Sequence, residues 1–209
     1  MTSALQMEAS RDRTDLPTIL RAGFKLGMIS VVLVALFSFL QIRLEGIAEI
    51  VVCGIILLAG IAAYIVMPGQ VTRARTIEGI AGAAGIGFAS VIPFMVFDIA
   101  LFQPIGLYSN RWLEIGGGSN WWYHPIWWMV ATYITWMGAW VQAHQAAKTG
   151  SSSPAALVLG TVVLALVCLA LGKLIGVPHA GWNLGSFAVA VMPALALYAG
   201  ISSFGVPRR

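Results

Sequence analysis

His124, Trp128, Thr132, Trp136, Trp140 and His144 stand four residues apart. On a helix such a row makes a continuous ridge that drifts slowly round the axis. Two kinds of chemistry are open to it. Indole faces stack on flat or rod-like conjugated molecules, and aromatic pairs add about 0.5–1.5 kcal/mol beyond the area they bury. An imidazole in an apolar slot can also cap the metal of a chlorin, which needs only one nitrogen. Against both stands simple packing, a bulky ridge filling the space beside a helix of small residues. Trp136 lies mid-helix, where its indole N–H finds neither water nor headgroups, so the ridge should face protein or a bound molecule.

Other constellations are thin. The chain has three histidines, and no HExxH or cysteine pair accompanies them. His124, His179, Asp98 and Glu114 could converge on a transition metal by ligand type alone. Asp98 is the acid set deepest in an apolar stretch, with Tyr108, Arg111 or an indole as prospective partners. There is no GxSxG, phosphate loop or pair of acids placed for acid–base work, so no enzyme is expected. GGGSN at 116–120 lacks the strand before and the helix after that a dinucleotide loop requires, and it reads as a hinge.

These residues must be positioned by elements that live in lipid. Of 209 residues, 59% are apolar and 10% charged, and the mean hydropathy is +0.86. A soluble domain carries charge on roughly a quarter of its residues. A bilayer span needs about 20 apolar residues, and such windows recur near 24–42, 46–67, 77–102, 124–147, 154–175 and 182–204. The expectation is an all-α, six-helix integral membrane domain over 24–204. A cytoplasmic tail precedes it over 1–23, carrying an interfacial helix capped by Asp15 with Pro17 in its first turn. With the N-terminus inside, nine basic residues fall on the inner side: Arg11, Arg13, Arg21, Lys25, Arg73, Arg75, Lys148, Arg208 and Arg209. Only Arg43, Arg111 and Lys173 fall outside. That asymmetry fits both termini in the cytoplasm of a multi-pass protein of the inner membrane. The formal charge of +4 then reports topology and contact with anionic lipid. No basic stretch is built to track nucleic acid.

Small residues tell the helices where to meet. Gly79, Ala83 and Gly87 recur at four-residue spacing, widened by Gly82 and Gly85, and Gly23/Gly27 and Gly181/Gly185 repeat the pattern more briefly. Such faces let backbones approach in lipid. Pro93 and Pro193 should kink their helices. Three spans followed by three inverted ones would be a transporter's arrangement, which stands as the alternative reading. Trp121, Trp122 and Tyr123, with Trp112 and Trp182, suit an interfacial aromatic belt. Cys53 and Cys168 are expected as small hydrophobes, not a disulfide.

The stretch LYSNRWLEIGGGSNWWYHPIWW at 107–128, in a 22-kDa aromatic-loaded chain, resembles the carotenoid-binding accessory subunits of acidobacterial homodimeric type I photosynthetic reaction centres. The resemblance implies a non-catalytic subunit beside a chlorophyll-bearing reaction-centre core. It implies carotenoid in the subunit's grooves, and (bacterio)chlorophyll as a second pigment. On the residues of the ridge, Trp128, Trp136 and Trp140 would line such a groove, and His124 or His144 would end it as an axial ligand.

Overall fold

A computed structural model describes residues 13–108, 123–178 and 180–206. Six long helices run through them: α1 (Leu16–Gln41), α2 (Gly46–Thr72), α3 (Ile77–Phe97), α4 (Tyr123–Thr149), α5 (Pro154–Leu174) and α6 (Leu184–Ser203). A π-helical turn, Asp98–Phe102, extends α3. No strand occurs among the described residues.

Each helix starts and stops for local reasons. Asp15 caps α1 by accepting from the Thr18 amide at 2.9 Å, with a proline in the first turn. The bonds from Thr18 hold the Asp15 carboxyl below its usual range. Ser153 and Asn183 cap α5 and α6 by accepting from the Ala156 and Ser186 amides. Arg73 ends α2 in the left-handed region at φ 52°. Gly150 and Gly176 close α4 and α5 at φ 81° and 74°, where a side chain would be strained. The first helix differs from expectation. Residues 16–23 continue unbroken into α1, so Arg21 lies on the long helix with Lys25 and not on a separate tail. Helix α2 also runs on through Pro68 to Thr72, past the expected end at 67.

Five stretches are long and apolar enough to cross a membrane: Leu16–Gln41, Gly46–Thr72, Ile77–Phe102, Pro154–Leu174 and Leu184–Ser203. The chain is therefore a multi-pass membrane-type helical protein. Helix α4 is as long, but its Trp, Tyr, His and Gln content lowers its hydropathy and it is not among the five. Ile77–Phe102 is the most enclosed of them, 56% buried against 11% for Gly46–Thr72.

The small-residue faces do the joining. Gly79, Ala83 and Gly87 are all buried in α3. A side chain on Gly87 would collide with Thr135 and the Ala131 carbonyl of α4, and one on Gly27 with Ser90 and Pro93 of α3. Gly23 faces Ala89. Gly138 of α4 lies against the α2 backbone, where a Cβ would come within 2.7 Å of Ile65 Cα. Gly160 of α5 sits under the Tyr198 ring of α6. Gly181 and Gly185 break the pattern, since their nearest neighbour is Asn183 beside them in sequence.

Helices α1, α2, α3 and α4 thus form a tight group, and the α5–α6 hairpin docks through α6 on α4. The two halves of the chain do not pair their helices alike. In the first half α1 lies chiefly on α3, whereas in the second α5 lies chiefly on α6. Cys53 and Cys168 are free, as expected.

The crossing of α4 on α2 gives a direct test. Gly138→Ala must move backbone, so it should lower stability by about 1–3 kcal/mol in detergent unfolding. Gly60→Ala is the control, because its Cβ would meet only Leu33 at an ordinary 3.6 Å. That variant should be neutral or slightly stabilising. Equal effects from the two would remove the close crossing from the account.

Candidate functional site

A four-residue repeat overshoots the 3.6-residue turn by about 40° each step, so five steps from 124 to 144 turn through about 200°. The ridge is therefore not one face of α4, and its members part company. The histidines at its ends point into the bundle, while its middle faces out.

At one end His124 lies beside Asp98, Nε2 to Oδ2 3.8 Å. Asp98 is fully buried in the π-helical turn. Its carboxylate accepts from Gln103 Nε2 at 2.7 Å and from the Tyr108 hydroxyl. The Tyr108 partnership is the one expected from sequence, and Gln103 was missed. Signals for Gln103 did exist, since it lies five residues past Asp98, one turn of a π-helix. Arg111 and Glu114 lie outside the described residues, as do His179, Trp112, Trp121, Trp122 and the Tyr123 side chain. Among the described residues no group of three His, Cys, Asp or Glu could hold a metal ion. Trp182 is 60% exposed with Lys173 Nζ 5.7 Å above its ring.

At the other end His144 Nδ1 is 2.8 Å from Ser202 Oγ, and Ser202 gives its own proton to the Ala199 carbonyl at 2.9 Å. With Ser202 donating to Ala199, the hydroxyl accepts from Nδ1, and in that tautomer Nε2 keeps the lone pair. A ring nitrogen held this way is the arrangement that orients a metal-ligating histidine. Trp140 packs at 5.3 Å between ring centroids on the same imidazole and against the small core of Ala74, Ala83, Ala139 and Ala143.

Between these ends, the packing expected for the ridge fails for two of its tryptophans. Small residues, not tryptophans, fill the space beside the glycines of α3: Thr135 and Ala131 meet Gly87. The buried face of α4 is Ala131, Thr135, Gly138, Ala139 and Gln142. Trp128 and Trp136 are displaced to the outside, 38% and 42% exposed. Phe88 of α3 lies 5.0 Å from Trp128, tilted by 34°, and is itself 48% exposed. Trp136 is the middle residue of α4. No contact among the described residues satisfies its indole N–H.

The polar groups deeper inside are committed to one another. Tyr64 of α2 bonds Ser30 of α1 at 2.8 Å and Ser90 of α3 at 3.0 Å. Ser90 donates to the Gly87 carbonyl. Gln142 Nε2 donates to the Ile65 and Val66 carbonyls at 2.9 and 3.1 Å, on the turn before Pro68. Tyr133 donates to the Met192 carbonyl at 2.8 Å.

The Asp98 cluster is testable by itself. Asp98→Ala strands a buried hydroxyl and amide, and it should cost about 1–3 kcal/mol. Tyr108→Phe removes one donor and should cost less. Thermal unfolding in detergent reads both, and an Asp98→Ala protein as stable as the native one would show that the cluster is solvated.

The chain matches no protein-family model, no curated protein and no solved structure.

Proposed function

We propose that this chain is a non-catalytic membrane subunit that carries a conjugated, rod-shaped pigment of the carotenoid class on the outer face of α3 and α4, beside a larger chlorophyll-bearing reaction-centre core. The observation that carries this reading is Trp136. It stands at mid-helix, open to the surroundings, with an indole N–H that no described residue satisfies. A polyene brings no acceptor for that N–H, but it covers the exposed ring faces, and stacking on them adds to the area buried. Phe88, Trp128 and Trp136 offer ring faces over about 12 Å of α4, enough to grip part of a polyene lying across the membrane. His144, held at Nδ1 by Ser202, is the better axial candidate for a (bacterio)chlorophyll than His124, which faces Asp98.

The transporter alternative asks for polar groups free to meet a solute at mid-depth. Ser30, Tyr64, Ser90 and Gln142 are instead bonded to each other and to backbone, which favours the pigment reading.

Helix α4 completes the proposal as a sixth span. It lies among α2, α3 and α6 and carries no Lys, Arg, Asp or Glu before Lys148. Both termini then lie in the cytoplasm. Labelling of Ser151→Cys should occur from the cytoplasmic side and of Leu44→Cys from the opposite side. Labelling of both from one side would break this topology.

The pigment reading is tested on protein solubilised mildly from its native membrane. Visible absorption should accompany it, and Trp136→Ala should cut bound pigment several-fold or shift its bands while the protein still inserts. His144→Ala should remove any chlorin, and His124→Ala should leave it. Colourless protein, or a spectrum indifferent to Trp136, would end the proposal.

A further inference from the structure

Helix α1 carries two cations where lipid should be. Arg21 and Lys25 stand five and nine residues past Leu16, about 8 and 14 Å along the axis. Between them Gly23 faces Ala89 of α3. Ala89 lies twelve residues into the apolar run Ile77–Phe102, about 18 Å along a run about 39 Å long. Both cations are exposed, and among the described residues neither joins a salt bridge or a hydrogen bond through its side chain. Arg21 acts on the Asp15 carboxyl through space without closing an ion pair, and exposed charge this far along a span is costly and marks a functional site.

The surroundings name a partner. Arg21 and Lys25 edge a shallow groove between α1 and α3, walled by Leu20 and Phe24 on one side and Ile92 and Pro93 on the other. Side chains on a helix lean toward its N-terminus. Arg21 and Lys25 therefore lean toward the end of the bundle where α1 begins. Arg13 lies at that end, its amide bonded to the Thr72 carbonyl at 2.9 Å, and Arg73, Arg75 and Lys148 occupy the turns beside it. That is the end where an interface and its phosphates lie. An acid on a neighbouring helix would bear the same burial cost as the cations, whereas a lipid phosphate is already at the interface and brings its own apolar chain.

We infer that the α1–α3 groove is a binding site for an anionic phospholipid, with its phosphate held by Arg21 and Lys25 and one acyl chain lying along Phe24, Ile92 and Pro93. The site is independent of any pigment on α4.

The test uses the full chain, delipidated in detergent and returned to mixed micelles with dioleoyl phosphatidylglycerol or dioleoyl phosphatidylcholine. Native mass spectrometry reads the bound lipid. Native protein should favour phosphatidylglycerol, and each cation should contribute about fivefold. Arg21→Gln/Lys25→Gln should lose that preference, while Lys148→Gln, which removes one charge at the same end, should keep it. Ile92→Trp fills the groove without touching charge and should also reduce binding. This variant keeps the question open to test if the double variant does not fold. Inorganic phosphate at equal concentration should not compete. The inference is overturned if the double variant retains the preference, if Lys148→Gln loses as much, if Ile92→Trp binds as the native chain does, or if inorganic phosphate displaces the lipid.

Discussion

Close backbone approach is the constraint from which the rest of this structure follows. Helices in lipid gain little by hiding apolar surface from one another, so contact has to come from van der Waals packing across small residues. Here α3 supplies them toward both sides, Ala89 and Ser90 toward α1 and Ala83 and Gly87 toward α4, while Gly138 brings α4 onto α2. The enclosure of Ile77–Phe102 is the outcome. Each close contact also forbids bulk, and this decides where the large residues can go.

The helix irregularities and the buried polar groups belong together. A proline inside a helix cannot donate its amide, and neighbouring carbonyls lose regular partners. Gln142 supplies donors on the turn before Pro68. The π-helical turn beyond α3 places Asp98 where Gln103 and Tyr108 both reach it. Ser30, Tyr64 and Ser90 tie three helices by one chain of hydroxyls. In a medium without water such networks hold register, because sliding one helix would strand several donors.

Exclusion of bulk from the helix crossings sends the tryptophans outward. Thr135 and Ala131 occupy the place beside Gly87, so Trp128 and Trp136 meet the surroundings, Trp140 packs toward Ala83 of α3 and His144 meets Ser202 of α6. The faces left outside are aromatic on α4 and cationic on α1.

The sequence by itself determined the class and the element list. Low charge and recurrent apolar windows permit only a helical membrane chain, and the helix starts follow from Asp15, Ser153 and Asn183 acting over a single turn. The closeness of Gly79, Ala83 and Gly87 to a neighbour was legible for the same reason, since a four-residue stripe lies on one side of its helix. What the stripe met was not legible. A ridge of period four turns through about 200° over its length, so its members meet different neighbours, and only the crossing helices select which are buried. The same holds for Arg21 and Lys25. As residues near the N-terminus they count toward the inner side; their position beside Ala89 exists only because Gly23 and Gly27 seat α1 against α3. Local caps and composition act through neighbours in sequence, and the site residues acquire their surroundings through contacts between helices far apart along the chain.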